Sequence, residues 1–162
     1  MISREQWGAK PLTKYAYKIE PSYRTGIVVH HSVTAEGRSL QDVKVILRQI
    51  DDMHRAQGWG GIGYNLAVDY AGRIYRARGV NVMGVHTADN NSRNYGVCYI
   101  GDGREGITRA AVAAIRDSVK FLQDNSKKKL KIRGHQDLNP TACPGPHIQR
   151  LVESGRFKVG YN

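Results

Sequence analysis

The chain has 162 residues with 40% hydrophobic and 24% charged content, values near the globular norm that argue against a disordered tail or a fibre. No apolar run approaches the ~20 residues of a membrane span, so no bilayer insertion is expected. The balance of 25 Lys and Arg against 14 Asp and Glu gives a net charge of +11 and a pI near 9.9, a field that concentrates polyanions such as nucleic acid, an anionic membrane surface or an anionic cell-wall polymer.

Residues 1–25 carry Pro11, Pro21 and scattered Tyr and Lys without a sustained period. They read as an extended N-terminal segment packed on the domain, with Trp7 as an anchor. The opening Met1-Ile2-Ser3-Arg4-Glu5-Gln6-Trp7 lacks the charged-then-apolar layout of a secretory leader. The expectation is a protein made in the cytoplasm that either works there or leaves by another route. Gly26 opens Ile27-Val28-Val29-His30-His31, a continuous apolar run that suits a strand covered on both faces, with two histidines at its end.

Ser39-Leu40-Gln41-Asp42 has the form of a capping box, and Val43, Leu47, Ile50 and His54 recur at steps of four, three and four. That pattern predicts an amphipathic helix of about 18 residues ending near Gly58, with His54 as a packing or capping residue. Trp59-Gly60-Gly61-Ile62-Gly63 is a glycine-rich turn without the order of a dinucleotide fingerprint. Residues 64–69 and 73–76 around Tyr70-Ala71-Gly72 predict a β-hairpin. Tyr64 begins its first strand, where it either faces an open site or packs on the sheet. The Gly, Asn and Ser content of residues 79–94, around Val85-His86-Thr87, predicts a ligand-binding loop.

A strand at 95–101 follows, in which Cys98 is a small apolar core residue. Thr108 caps a helix in which Val112, Ile115, Val119 and Leu122 recur at three, four and three. Lys127-Lys128-Lys129 with Lys131 and Arg133 is the one dense basic run and reads as a solvated loop. Leu130 to Gly134 is a short strand delivering His135, and Pro146 starts a last helical stretch stopped by Gly155. No linker or repeat intervenes, so 1–162 reads as a single α/β domain.

The chemistry concentrates in Gly134-His135-Gln136-Asp137-Leu138-Asn139-Pro140-Thr141-Ala142-Cys143-Pro144-Gly145. His135 and Cys143 are a nitrogen and a sulfur ligand eight residues apart, across a loop that its prolines keep from coiling. A disulfide between Cys98 and Cys143 is allowed by parity, but Cys143 in a polar loop has no packing reason to be there. A catalytic zinc needs a third protein ligand and an open corner for water. His30 is the candidate, because the alternation of a strand turns His31 to the other face. The competing assignment is a closed structural site with His31 as a fourth ligand; His54, His86 and His147 remain unused. Tyr64 and Thr141 are candidate donors to an oxyanion. Asp137 is either the acceptor for a ligand imidazole or an ordinary loop cap.

These segments resemble the zinc-dependent N-acetylmuramoyl-L-alanine amidases shared by phage amidase lysozymes and animal peptidoglycan recognition proteins. The likeness runs through Ser3–Ala9, VVHHSVT at 28–34, GYN at 63–65, GVHTADNN at 84–91, YGVCYIG at 95–101 and GHQDLNPTACPG at 134–145. It implies a mixed central sheet flanked by about three helices, with Zn2+ on His30, His135 and Cys143. The implied reaction is hydrolysis of the amide between the lactyl group of N-acetylmuramic acid and L-alanine of the stem peptide. Tyr64 matches the family tyrosine associated with the catalytic water. Thr141 matches a position that is threonine in many recognition-type relatives and lysine in some phage enzymes. His86 and Asn91 match a groove wall that contacts muropeptide. Recognition-type relatives that only bind often lack the cysteine, so Cys143 points to an enzyme.

The expected partners are peptidoglycan or muropeptide and anionic cell-wall polymers, with the protein a monomer. The likeness and the charge together point to a phage endolysin reaching the wall after release. A binding module without turnover and a cytoplasmic muropeptide-recycling amidase are the alternatives. A nucleic-acid binder is a third class, for which the aromatic and basic pattern of an RNA-binding sheet is missing.

Overall fold

The computed structural model describes residues 1–13 and 16–161. Strand β1, Gly26–His31, is buried along all six residues, as its unbroken apolar run predicts. It pairs in parallel with β4, Asn94–Tyr99, on one side and with β5, Lys131–Gly134, on the other. Beyond β4 lie β2, Leu66–Val68, and β3, Ile74–Arg76, so the sheet order is β3-β2-β4-β1-β5. Of the pairings among these five strands of the described residues, the β2–β3 hairpin is the antiparallel one, which makes the sheet mixed.

Helices cover both faces. The predicted capping boundary holds at α2, Leu40–Ala56, where Ser39 accepts from the Asp42 amide and Asp42 accepts from that of Ser39. This helix buries Val43, Leu47 and Ile50 against Ala67, Tyr75, Cys98 and Ile100. On the opposite face α3, Arg109–Ser126, capped by Thr108, and α4, Pro146–Glu153, pack on Ile27, Val29, Tyr95 and Val97. Residues 27 and 29 belong to one core and Cys98, opposite His30, to the other. His30, next to the last residue of β1, therefore faces the α2 side of the sheet, as strand alternation requires.

The N-terminal segment departs from its extended reading. Ser3-Arg4-Glu5-Gln6 forms a reciprocal capping box that starts a four-residue helix, α1, Arg4–Trp7. Trp7 is fully buried and donates its indole N–H to the Arg76 carbonyl. A short 3-10 turn at Pro21–Tyr23 precedes β1, and another at His135–Asp137 follows β5 where a plain loop was expected.

Two buried polar residues hold the long loop between β3 and β4. Asn65 accepts from the Gly96 amide and donates to the carbonyls of Gly79 and Val82. Arg24, 0% exposed, donates to the carbonyls of Asn91, Ser92, Asn94 and Val82 and lies over the Tyr95 ring. Arg24→Met would strip these carbonyls of their donor without returning them to water. It is expected to destabilise the fold by about 3 kcal/mol, read as a lowered urea midpoint, with hydrogen exchange in residues 82–94 accelerating most.

Candidate metal centre and substrate cleft

The register of the sheet delivers two of the proposed ligands together. Gly134 lies opposite Val29, so the next residue on each strand is a histidine. The rings of His30 and His135 are 4.6 Å apart, centroid to centroid. The third group arrives on the loop after β5, which folds back so that the Gln136 amide donates to the Cys143 carbonyl. A turn at Gly103 holds this arm, its carbonyl accepting from the amides of His147 and Ile148. A side chain there would put Cβ 1.9 Å from the Pro144 carbonyl oxygen, so only glycine allows the approach.

The ligand atoms of His30, His135 and Cys143 all lie within 4.8 Å of one another, and Cys143 Sγ is 3.5 Å from His30 Nδ1. Nitrogen and sulfur on a tetrahedral zinc at ~2.1 and ~2.3 Å stand about 3.6 Å apart. The donor set and its spacing therefore fit such an ion. Electrostatics fit too. Burial pushes the Cys143 thiol up to about 11, so in this apolar setting sulfur keeps its proton unless a cation takes its place. Burial, reinforced by neighbouring histidines, holds His30 well below the usual imidazole range, and burial lowers His135, leaving both neutral with a lone pair to offer. Cys98 is a free, buried thiol and no disulfide joins the two cysteines.

His31 points to the other face of β1, where its Nδ1 accepts from the Gly103 amide. It is a structural residue that holds the Gly103 turn, on which the arm carrying Cys143 rests. Asp137 is a loop cap: its carboxylate accepts from the Gly134 amide and from Gln149 and reaches no imidazole. The partner of His135 is Asn139, whose Oδ1 lies 3.1 Å from His135 Nε2. The amide nitrogen of Asn139 donates to the carbonyls of Ala88 and Leu138. Its oxygen is thus the atom facing His135, which must carry its proton on Nε2.

Around this centre lies a cleft of about 730 Å³ whose walls include His54, Trp59, Tyr64, Thr87, Asn91 and Thr141, a size that suits a small ligand. The Tyr64 ring is 5.2 Å from that of His30. Burial first, then the sulfurs of Cys98 and Cys143, hold its phenol well above the usual range, so it remains an O–H donor. Tyr64 lies two residues before β2, directly after the turn 59–63, and that turn is tied down by His54, in the capping role expected for it, and by two further buried groups. Arg78, 3% exposed, donates to the carbonyls of Trp59, Gly61 and Ile62. Asp51 accepts from the Ile62 amide, and His54 Nδ1 from that of Gly63.

Thr141 is exposed at the cleft rim. Its Oγ1 accepts from the Cys143 amide, leaving its own proton free to donate. Asn91 Oδ1 accepts from the amides of His86 and Thr87, so its oxygen shapes the loop while the residue lines the cleft. His86 also lines the cleft, but its ring is turned edge-on to His30.

His54 carries a pH dependence that is separate from the metal ligands. Burial, with Arg78 nearby, lowers its pKa from 6.5 to about 4. Between those values the unfolded chain takes up a proton that the folded protein excludes, so stability falls as pH drops from 6.5 toward 4. Urea midpoints measured across that window are expected to decrease. His54→Asn, which keeps an acceptor for the Gly63 amide, should flatten the decline in part, since His86 is lowered in the same direction.

Comparison with known proteins adds a family match, two curated relatives and two solved structures. A family model described as N-acetylmuramoyl-L-alanine amidase matches residues 20–146. Among curated proteins, peptidoglycan-recognition protein LB of Drosophila melanogaster is 30% identical over 160 residues, covering 95% of this chain and 68% of its own. An N-acetylmuramoyl-L-alanine amidase of Sus scrofa is 31% identical over 162 residues, covering 93% of this chain and 26% of its own. Among solved structures, wild-type Drosophila PGRP-LB superposes with a TM-score of 0.85 at 28% identity, over 99% of this chain and 96% of that one. A tyrosine-to-phenylalanine variant of PGRP-LB in complex with tracheal cytotoxin gives 0.86 at 27% identity, over 98% and 96%.

Proposed function

The chain belongs to the N-acetylmuramoyl-L-alanine amidase family, and from that premise we propose that it is a zinc amidase that cleaves the bond between N-acetylmuramic acid and L-alanine in peptidoglycan. The observation that carries the reading is the convergence of His30, His135 and Cys143 at the floor of a cleft, with the Tyr64 phenol beside them. Zinc held there supplies Lewis acidity and acidifies water to a pKa of about 7.

The chain's own residues account for the rest. His30 and His135 present lone pairs because each other ring nitrogen faces a partner. Tyr64 donates its O–H to the negative charge that develops on the lactyl carbonyl oxygen as it becomes tetrahedral. Thr141 adds a second, neutral donor from the opposite rim, where a lysine would have brought charge. Trp59 and His54, with ring centroids 4.6 Å apart, form an apolar wall against which substrate can exclude water.

Purified protein should release stem peptides from intact peptidoglycan, detected by mass spectrometry of the products, and lose this activity on chelation. A binding-only module is the second reading. It is favoured by the names of the relatives, several of which are recognition proteins, and by a relative crystallised with tracheal cytotoxin. Zinc-loaded protein that retains muropeptide but never turns it over would establish that reading instead.

The proposal extends to a lytic role on walls bearing anionic polymers, supported by the +11 charge. Along the free edge of β5, a second cleft of about 710 Å³ is lined by Lys129, Lys131, Arg133 and Lys158. The expected result is that wall binding weakens as salt rises through the range that screens surface fields. Changing these four residues to glutamine should weaken it further, with hydrolysis of soluble muropeptide unchanged.

A further inference from the structure

The His86 ring makes two contacts that together restrict where protons can sit. Its Nε2 lies 3.2 Å from the Asn94 main-chain carbonyl oxygen. A carbonyl only accepts, so Nε2 carries a hydrogen. Its Nδ1 lies 2.9 Å from His30 Nε2 and 2.8 Å from Thr87 Oγ1. In a buried neutral imidazole with Nε2 protonated, Nδ1 is a bare acceptor. His30 Nε2 must then be the donor, because the alternative sets two lone pairs against each other at hydrogen-bond distance. Thr87 Oγ1, 3.3 Å from His30 Nε2, can share that proton as acceptor while donating its own to His86.

We propose that His86 is a positioning residue that fixes the tautomer of His30, holding the proton on Nε2 so that the Nδ1 lone pair faces Cys143 and the metal. The fixed point is the carbonyl of Asn94, at the start of β4, and the ring of His86 carries its preference one step further to the ligand. Metal-binding histidines usually meet a carbonyl or carboxylate directly; here a second imidazole stands between. The close packing is specific to this arrangement. A Cβ on Gly96 would come within 2.7 Å of the His86 ring, and one on Gly84 within 2.5 Å, so both glycines leave room for the ring where it lies.

The inference rests on the metal-centre reading but not on catalysis, and its test reads neither turnover nor substrate. Long-range proton–nitrogen NMR correlations on metal-free wild type are expected to show His30 in the Nε2–H form. Zinc affinity, measured by competition with a chromophoric chelator, is expected to fall 10- to 100-fold in the His86→Leu, Thr87→Val double variant, by analogy with other outer partners of metal ligands. The same variant should lose the pure Nε2–H signature. His86→Asn, which keeps an acceptor near the position of Nδ1, should bind zinc within about threefold of wild type.

His30 found with its proton on Nδ1 in wild type would overturn the proposal, as would unchanged zinc affinity in the double variant. Should that variant not fold, the wild-type tautomer and His86→Asn decide. A wild type that takes up no zinc would refute the metal-centre reading itself, and the tautomer measurement would still judge the role of His86.

Discussion

Cys143→Ala is expected to remove bound zinc and lower amide hydrolysis at least about a thousandfold, the equivalent of roughly 4 kcal/mol of lost charge stabilisation. The thiol is partly exposed in the cleft and belongs to neither hydrophobic core. Its loss should therefore leave the melting temperature of the metal-free protein within a few degrees of wild type. Metal analysis and product mass spectrometry on the same preparation read both effects. A variant with one zinc per chain and full turnover would remove Cys143 from the centre. Muropeptide binding is expected to survive, since His54, Trp59, Tyr64, Thr87 and Asn91 also wall the cleft.

Tyr64→Phe is expected to separate chemistry from binding. The phenol oxygen is the only part removed, and the ring keeps its contacts with His30 and His54. Loss of one oxyanion donor costs about 10²- to 10³-fold in kcat, with zinc content and KM nearly unchanged, because the interaction forms only as charge develops. A KM effect with kcat intact would make Tyr64 a wall of the cleft and nothing more.

Much of the fold could be read along the chain because its signals are local. Ser39 and Asp42 mark the start of α2, and the steps from Val43 to His54 mark its buried face. The helix at Arg4–Trp7 carries the same signature in Ser3 and Gln6, but four residues are too few for a periodic stripe to appear. The three residues that converge, His30, His135 and Cys143, were legible as candidates because β1 and the 134–145 stretch have distinct residue types at strand ends. Their supporting partners were not. Asp137 and Asn139 sit in one loop with equal claims, and only the fold shows the first occupied by Gly134 and Gln149. Arg24 and Arg78 look like any other surface cation in a basic chain until their loops bring carbonyls to them. The partner of His86 is a main-chain oxygen, which leaves no trace in residue identity.

The register that places Val29 opposite Gly134 has a practical outcome for handling the protein. Two of the three candidate grips on a metal hang from neighbouring strands laced together by the backbone, so a centre of this kind would keep its shape when empty. Unlike finger-type domains that collapse when stripped, this one should survive dialysis against a chelator as a dormant but intact molecule. Adding the ion back revives it without refolding, and the cysteine arm alone has to settle into place.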